Sequence, residues 1–245
     1  MSLLQLEGVS KKFGQVVVGE QITFQLEEAR AIGIVGPNGA GKTSLFGIIS
    51  GDIRPDAGTI HFEGNDLLKL NSAQRARAGI GRTYQVPRPF EHMTVFENAL
   101  VAAQQGARLR SQHSYDLAYD SLERTGLSEF ANQPAGSLTL LHRKRLELSR
   151  ALATSPRVLL LDEIAGGLTD LEVNELTAII RQLQSDGIAI VWIEHVVRAL
   201  LNTVDRLICL AAGKIVADGD PQKVLSSAAV RELYLGGKVV GESVQ

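Results

Sequence analysis

Apolar positions along this chain change their period three times, and each change marks a boundary. From Leu3 to Val35 they read as short strands: Leu3 to Val9, Val16 to Val18, the alternation Ile22, Phe24, Leu26, and the unbroken run Ala31 to Val35. Leu45 to Ile49 then starts a helix, and Gly58 to Asn65 reads as a strand entering a turn. Ala73 to Ala78 reads as a short arginine-bearing helix, and Ile80 to Gln85 as a strand with a polar end that Pro87 and Pro89 interrupt.

Beyond residue 86 the period becomes helical. Thr94 with Glu97 has capping-box spacing, and Val95, Ala99, Ala102 and Ala103 recur on one face. Further helices are predicted over Ser114 to Thr125, which Gly126 ends, and over Arg143 to Ala153. From Val158 to Leu161 a buried-strand run returns and ends at Asp162 and Glu163; a helix over Leu171 to Gln184 and a strand over Ile188 to Ile193 follow. Val204 to Ala211 and Lys214 to Ala217 close the sheet, and short helices near Pro221 to Leu225 and Val230 to Leu235 complete the pattern. The expected domain has a core of residues 1–85 and 154–235, a helical subdomain over 86–153, and a fraying tail over 236–245.

The stretch Gly36-Pro37-Asn38-Gly39-Ala40-Gly41-Lys42-Thr43-Ser44 matches the phosphate-loop pattern at every fixed position, between a strand and a helix as that motif requires. Gly36, Gly39 and Gly41 let backbone N–H groups converge on an anion beside a helix N-terminus. Lys42 supplies charge to the outer phosphates, and Thr43 offers a hydroxyl to Mg2+. The fold class expected is therefore α/β, a P-loop NTPase core with a mostly parallel sheet, an N-terminal antiparallel β subdomain and an inserted α-helical subdomain.

Ligands of open α/β sheets lie at strand C-termini, so Asp162 is placed to hold Mg2+ and Glu163 to orient or deprotonate an attacking water. His195, after the next strand, sits where it reaches a γ-phosphate, although a lone histidine there also suits a structural role. Phe13 has two readings, a base-stacking ring in a loop or a core residue at a strand end. Arg143-Lys144-Arg145 reads as a solvated helix face or a phosphate contact.

Charge narrows the partners: 25 Lys and Arg against 27 Asp and Glu leave a net −2, which argues against a broad nucleic-acid-binding face. The single cysteine, Cys209, lies in an apolar run, so it reads as a small buried hydrophobe in a reducing compartment. With no apolar run of spanning length and no signal-peptide pattern at the N-terminus, a cytoplasmic protein that meets membranes only through a partner is expected.

Together these residues resemble the ATP-binding subunits of ABC transporters along nearly the whole chain. The resemblance implies that Phe13 stacks on adenine and that Gly36 to Ser44 binds ATP. It also implies that Gln85 contacts Mg2+ and the attacking water, that Asp162 and Glu163 are the metal and catalytic carboxylates, that Asp170 acts across a dimer, and that His195 is a switch. Ile193-Glu194-His195, Arg145 to Leu152 and Tyr234-Leu235-Gly236 resemble importers of branched-chain amino acids. Such systems pair two different ATPase chains with transmembrane permease subunits and a periplasmic substrate-binding protein, so the chain would lie peripherally on the inner face of the membrane. A soluble ABC protein of translation or DNA repair, and a nucleotide-binding regulator that scarcely hydrolyses, are the alternatives.

Two departures stand out. The family's Leu-Ser-Gly-Gly-Gln signature falls on Leu138-Thr139-Leu140-Leu141-His142, which keeps a hydroxyl at Thr139 for a partner's γ-phosphate but loses both glycines. Ile164 replaces the proline usual after the catalytic carboxylate. Unequal nucleotide sites in a heterodimer are the expected consequence.

Overall fold

The computed structural model describes residues 2–106 and 112–235; the predicted tail over 236–245 lies outside them. Strands β1 (Ser2–Phe13) and β2 (Val16–Glu27) form a hairpin, and β3 (Ala31–Val35) leads into helix α1 (Lys42–Ser50). Strands β4 (Ala57–Phe62) and β5 (Asn65–Asp66), helix α2 (Ser72–Ala78) and strand β6 (Ile80–Arg82) follow. Helices α3 (Val95–Gly106), α4 (Gln112–Arg124) and α5 (Leu140–Leu152) form the inserted subdomain. The chain returns through β7 (Val158–Asp162), α6 (Asp170–Ser185), β8 (Ala189–Ile193), α7 (Val197–Leu201), β9 (Arg206–Ala211), β10 (Lys214–Gly219), α8 (Pro221–Ser226) and α9 (Ala228–Leu235).

Two sheets result. An antiparallel one has the order β2-β1-β4-β5, and the central one has the order β10-β9-β3-β8-β7-β6, parallel except for the β10/β9 edge. The central strands are buried on both faces, which is why they read as unbroken apolar runs. Their side chains still alternate between two cores. Val158 and Leu160 of β7 face the antiparallel sheet and α1, whereas Leu159 and Leu161 face α5 and α6. A third core, from Val95, Ala99, Ala118, Leu122 and Leu146, holds the helical subdomain together.

The structure redraws four expectations. Val16 to Val18 and Ile22 to Leu26 are one strand, because Gln21 takes a left-handed φ of 54° and register shifts absorb the polar break at Gly19 to Gln21. Phe13 ends β1 and does not sit in a loop. Strand β6 stops at Arg82, three residues before Gln85. Helix α5 starts at Leu140, capped by Thr139, three residues earlier than its apolar period shows. Arg143-Lys144-Arg145 is not a solvated face. Arg143 donates to the carbonyls of Leu138 and Gly136, Lys144 is buried, and Arg145 pairs with Glu175 at 2.5 Å.

Candidate active site at the strand ends

Helix α1 begins where β3 ends, and its N-cap, Gly41, is left-handed at φ 101° with no side-chain cap. The first-turn N–H groups therefore face the loop without intrahelical partners. Sterics demand two of the glycines: a Cβ on Gly36 would lie 2.0 Å from the Leu210 carbonyl oxygen, and one on Gly41 would lie 2.0 Å from that of Val18. Gly39 is needed for its φ of 78° alone, since nothing lies near its absent side chain. Asn38, Gly39 and Thr43 are exposed and Ser44 is half-buried, so the loop presents an open bed.

Lys42 is buried, and its Nζ donates to the carbonyls of Gly36 at 2.8 Å and Pro37 at 3.0 Å, curling the loop around its own ammonium. Burial lowers its pKa, and the nearby charges of Glu163 and Asp162 oppose that shift. The β1–β2 hairpin abuts this loop at Val18. Phe13, two residue steps beyond Val18's place in the ladder or about 7 Å along it, is 49% exposed, which removes the core reading and leaves its ring free to stack. Lys11 Nζ lies 5.2 Å from that ring.

The carboxylates stand at the end of β7. Asp162 is buried; its Oδ2 accepts from Arg82 Nη2 at 3.3 Å, and its Oδ1 has no partner. Burial raises its pKa, against the pull of Arg82. Glu163 takes a left-handed φ of 48°, uncommon for a residue other than glycine and held by its N–H bond to the Ile193 carbonyl at 2.9 Å. That twist aims the side chain between two donors. Gln85 Nε2 donates to Glu163 Oε2 at 2.6 Å, and His195 Nε2 meets Oε1 at 2.8 Å. A carboxylate so held keeps further lone pairs for a water.

Beneath His195 lies a group the sequence reading left without a role. Glu194 is buried, and its carboxylate accepts from the N–H groups of Ala165 (2.6 Å) and His195 (3.2 Å) and from Trp192 Nε1 (3.3 Å). Burial raises its pKa despite these donors. It ties the loop after Glu163 to the loop bearing His195, fixing one of the two donors against the acceptor. Its signal was a carboxylate directly after the all-apolar strand Ala189 to Ile193, a buried charge that needs partners.

The segment 84–90, which carries Gln85, is sewn to the helical subdomain. The Asn98 side chain accepts from the N–H of Phe90 (2.8 Å) and donates to its carbonyl (3.1 Å), while Arg150 donates to the Arg88 carbonyl at 2.8 Å and stacks on Phe90. Tyr84, Val86 and Phe90 are exposed there. A cavity of about 360 Å3 opens alongside, lined by Ser50, Asp52, Arg82, Tyr84, Glu147 and Arg150.

Thr139 and Phe13 have no hydrogen bond or ion pair to the carboxylate cluster among the described residues. Thr139 Oγ1 accepts from the His142 N–H at 3.4 Å; Leu140 is 45% exposed and lies over Gly167, whereas Leu141 turns into the core, so only one of the two leucines stands in the way of a partner. Asp170 is bound within the chain by Arg198. No group of three or more His, Cys, Asp or Glu able to hold a metal occurs among the described residues. The unpartnered Asp162 Oδ1, the Thr43 hydroxyl and the Gln85 amide oxygen suit a small hard cation that takes one carboxylate and completes its shell from phosphates and water.

The comparisons agree with this geometry. The profile of a family described as "ABC transporter" matches residues 20–166. The high-affinity branched-chain amino acid transport ATP-binding protein BraF of Pseudomonas aeruginosa is 32% identical, over 96% of this chain and 98% of its own. The lipopolysaccharide export system ATP-binding protein LptB of Haemophilus influenzae is also 32% identical, with the same coverage. A crystal structure of the ADP conformation of an ABC-transporter ATP-binding cassette superposes with a TM-score of 0.87 at 29% identity, covering 96% of this chain and 99% of that one.

Proposed function

The chain belongs to the ABC transporter family as an ATP-binding, ATP-hydrolysing subunit, and from that premise we propose that it powers uptake of branched-chain amino acids or related small polar solutes. The hydrogen-bonded set Gln85, Glu163 and His195 beside the phosphate loop carries the mechanistic reading. The phosphates of ATP lie on the N–H groups of Gly36 to Ser44, and Lys42 turns from the loop carbonyls to the outer phosphates. Phe13 stacks on the base. Glu163 takes a proton from the water that attacks the γ-phosphorus in line; the bond to the bridging oxygen breaks and ADP leaves. His195 and Gln85 hold Glu163 and the water in register. A Mg2+ held by Asp162, Thr43 and Gln85 would neutralise charge on the β- and γ-phosphate oxygens.

Gln85 couples this chemistry to the helical subdomain. Its segment is bonded to α3 and α5, and its exposed Tyr84, Val86 and Phe90 support docking of a transmembrane permease at residues 86 to 100. No helix among the described residues is long and apolar enough to cross a membrane, in keeping with a peripheral place on its inner face. A second ATP-binding subunit, different in sequence, completes each nucleotide site, and a periplasmic binding protein delivers the solute.

The BraF likeness favours import; the LptB likeness supports a second reading, export of a lipid-linked substrate. Uptake of labelled leucine by cells carrying either the wild-type chain or Glu163→Gln as their sole copy decides between them. Import predicts loss of uptake in the variant. Unchanged leucine uptake with a failing outer envelope would support export.

A further inference from the structure

Arg82 takes no part in the mechanism above, yet it touches both halves of the site. It ends β6, one strand over from β7, and its side chain is only 10% exposed. A guanidinium stays charged when buried, so its donors seek acceptors; Nε has none, and both Nη groups do. One arm, Nη1, donates to Ser50 Oγ and to Asp52 Oδ2, both at 2.9 Å; the other, Nη2, donates to Asp162 Oδ2 at 3.3 Å. Ser50 in turn donates to Asp52 at 2.8 Å, and the Tyr84 and Phe46 rings lie 4.9 and 6.0 Å from the guanidinium carbon. Ser50 is the last residue of α1, the helix that starts at Lys42. The planar fork therefore spans the far end of the phosphate-loop helix and the end of the carboxylate strand.

We propose that Arg82 is a positioning residue for Asp162, a strut that turns the carboxylate so that one oxygen stays on the guanidinium and the other faces the metal bound with nucleotide. The proposal rests on the reading of Asp162 as the metal carboxylate. The division of labour between the two oxygens is the observation behind it: Oδ2 is occupied by Arg82, while Oδ1 is buried without a partner. A side chain with one arm on Asp162 and the other on α1 also sets how far that oxygen lies from the phosphates. Partners that orient a metal ligand matter to affinity by about 10- to 100-fold.

The test is binding of Mn2+ to the full chain saturated with ADP, followed by electron paramagnetic resonance, with ADP affinity measured separately in EDTA. Arg82→Met should weaken Mn2+ on the order of tenfold while leaving metal-free ADP affinity within about twofold. Arg82→Lys, which keeps the charge and reaches Asp162 but cannot bridge to Ser50 and Asp52, should fall between Arg82→Met and wild type. Asp52→Ala, which removes the carboxylate acceptor of Nη1 beside the C-terminal end of α1, should weaken Mn2+ severalfold and serves if Arg82→Met does not fold. Unchanged Mn2+ binding in the folded variants overturns the proposal, and so does an equal loss of metal-free ADP affinity, which marks a general structural role. Asp162→Asn separates the premise: if it too binds Mn2+ normally, the reading of Asp162 fails, and if it alone loses the metal, only the role of Arg82 fails.

Discussion

Alanine at Gly41 and alanine at Gly39 should behave as different mutations, although both fall in one loop and both meet a positive φ. At Gly39, φ is 78° and no atom lies within 4 Å of the new Cβ, so only the left-handed backbone is penalised. That costs about 1–2 kcal/mol, and in a chain of this size it lowers Tm by about 2–8 °C. At Gly41, φ is 101° and the Cβ would lie 2.0 Å from the Val18 carbonyl oxygen, more than 1 Å inside contact distance by ordinary packing. Both neighbours are backbone, one in a sheet ladder and one at a helix N-terminus, so the loop must move. Overpacking of this kind adds about 1–3 kcal/mol, for a total near 2–5 kcal/mol. The displaced N–H groups should then cost ATP affinity as well. Differential scanning calorimetry and equilibrium ATP binding on wild type, Gly39→Ala and Gly41→Ala check this. Equal losses in the two variants, or a greater loss at Gly39, would refute the steric argument.

Phe13→Ala should lower ATP affinity by about 5- to 100-fold, the range of one lost base stack, and lower GTP affinity equally, with Tm unmoved because the ring is exposed; a change in Tm alone would return Phe13 to a structural role. The isolated chain should hydrolyse ATP slowly, because a homodimer would present two signatures obstructed by Leu140; Leu140→Gly should raise its turnover, and full activity of the unaltered chain alone contradicts the unequal-site reading. Glu194, whose pKa burial raises, contributes stability that is full below the ordinary carboxylate range and is lost as pH rises through its folded value. The Tm advantage of wild type over Glu194→Gln should therefore shrink as pH rises from the ordinary carboxylate range through the raised folded value, and a constant difference would place the stabilisation elsewhere.

Much of the site was legible because its chemistry is local in sequence. The phosphate loop carries its own strand and helix flanks, and Asp162-Glu163 and Glu194-His195 follow unbroken apolar runs that could only be buried strands. What was not legible depends on neighbours far along the chain. Arg82 has no role of its own in the sequence reading of Ile80 to Gln85; its meaning comes from Asp52 and Asp162, which lie 30 and 80 residues away. Lys144 sits between two other basic residues, a charge run that reads as a solvated face, yet it falls on the buried stripe of α5 with Leu141 and Leu148. The break in β2 misled for the opposite reason: a glycine and two polar residues ended the alternation, while a backbone bulge kept the ladder continuous. Phe13 could not be decided from its neighbours, since exposure is a property of the fold.

The most direct test of the account concerns Glu163. Single-turnover hydrolysis of γ-labelled ATP by the wild-type chain and by Glu163→Gln, with ATP affinity measured in parallel, isolates proton acceptance from binding because glutamine keeps the shape and the bond to His195. The rate should fall by about 10²- to 10⁴-fold, with affinity retained. Hydrolysis by Glu163→Gln at the wild-type rate would remove the carboxylate between Gln85 and His195 from the chemistry.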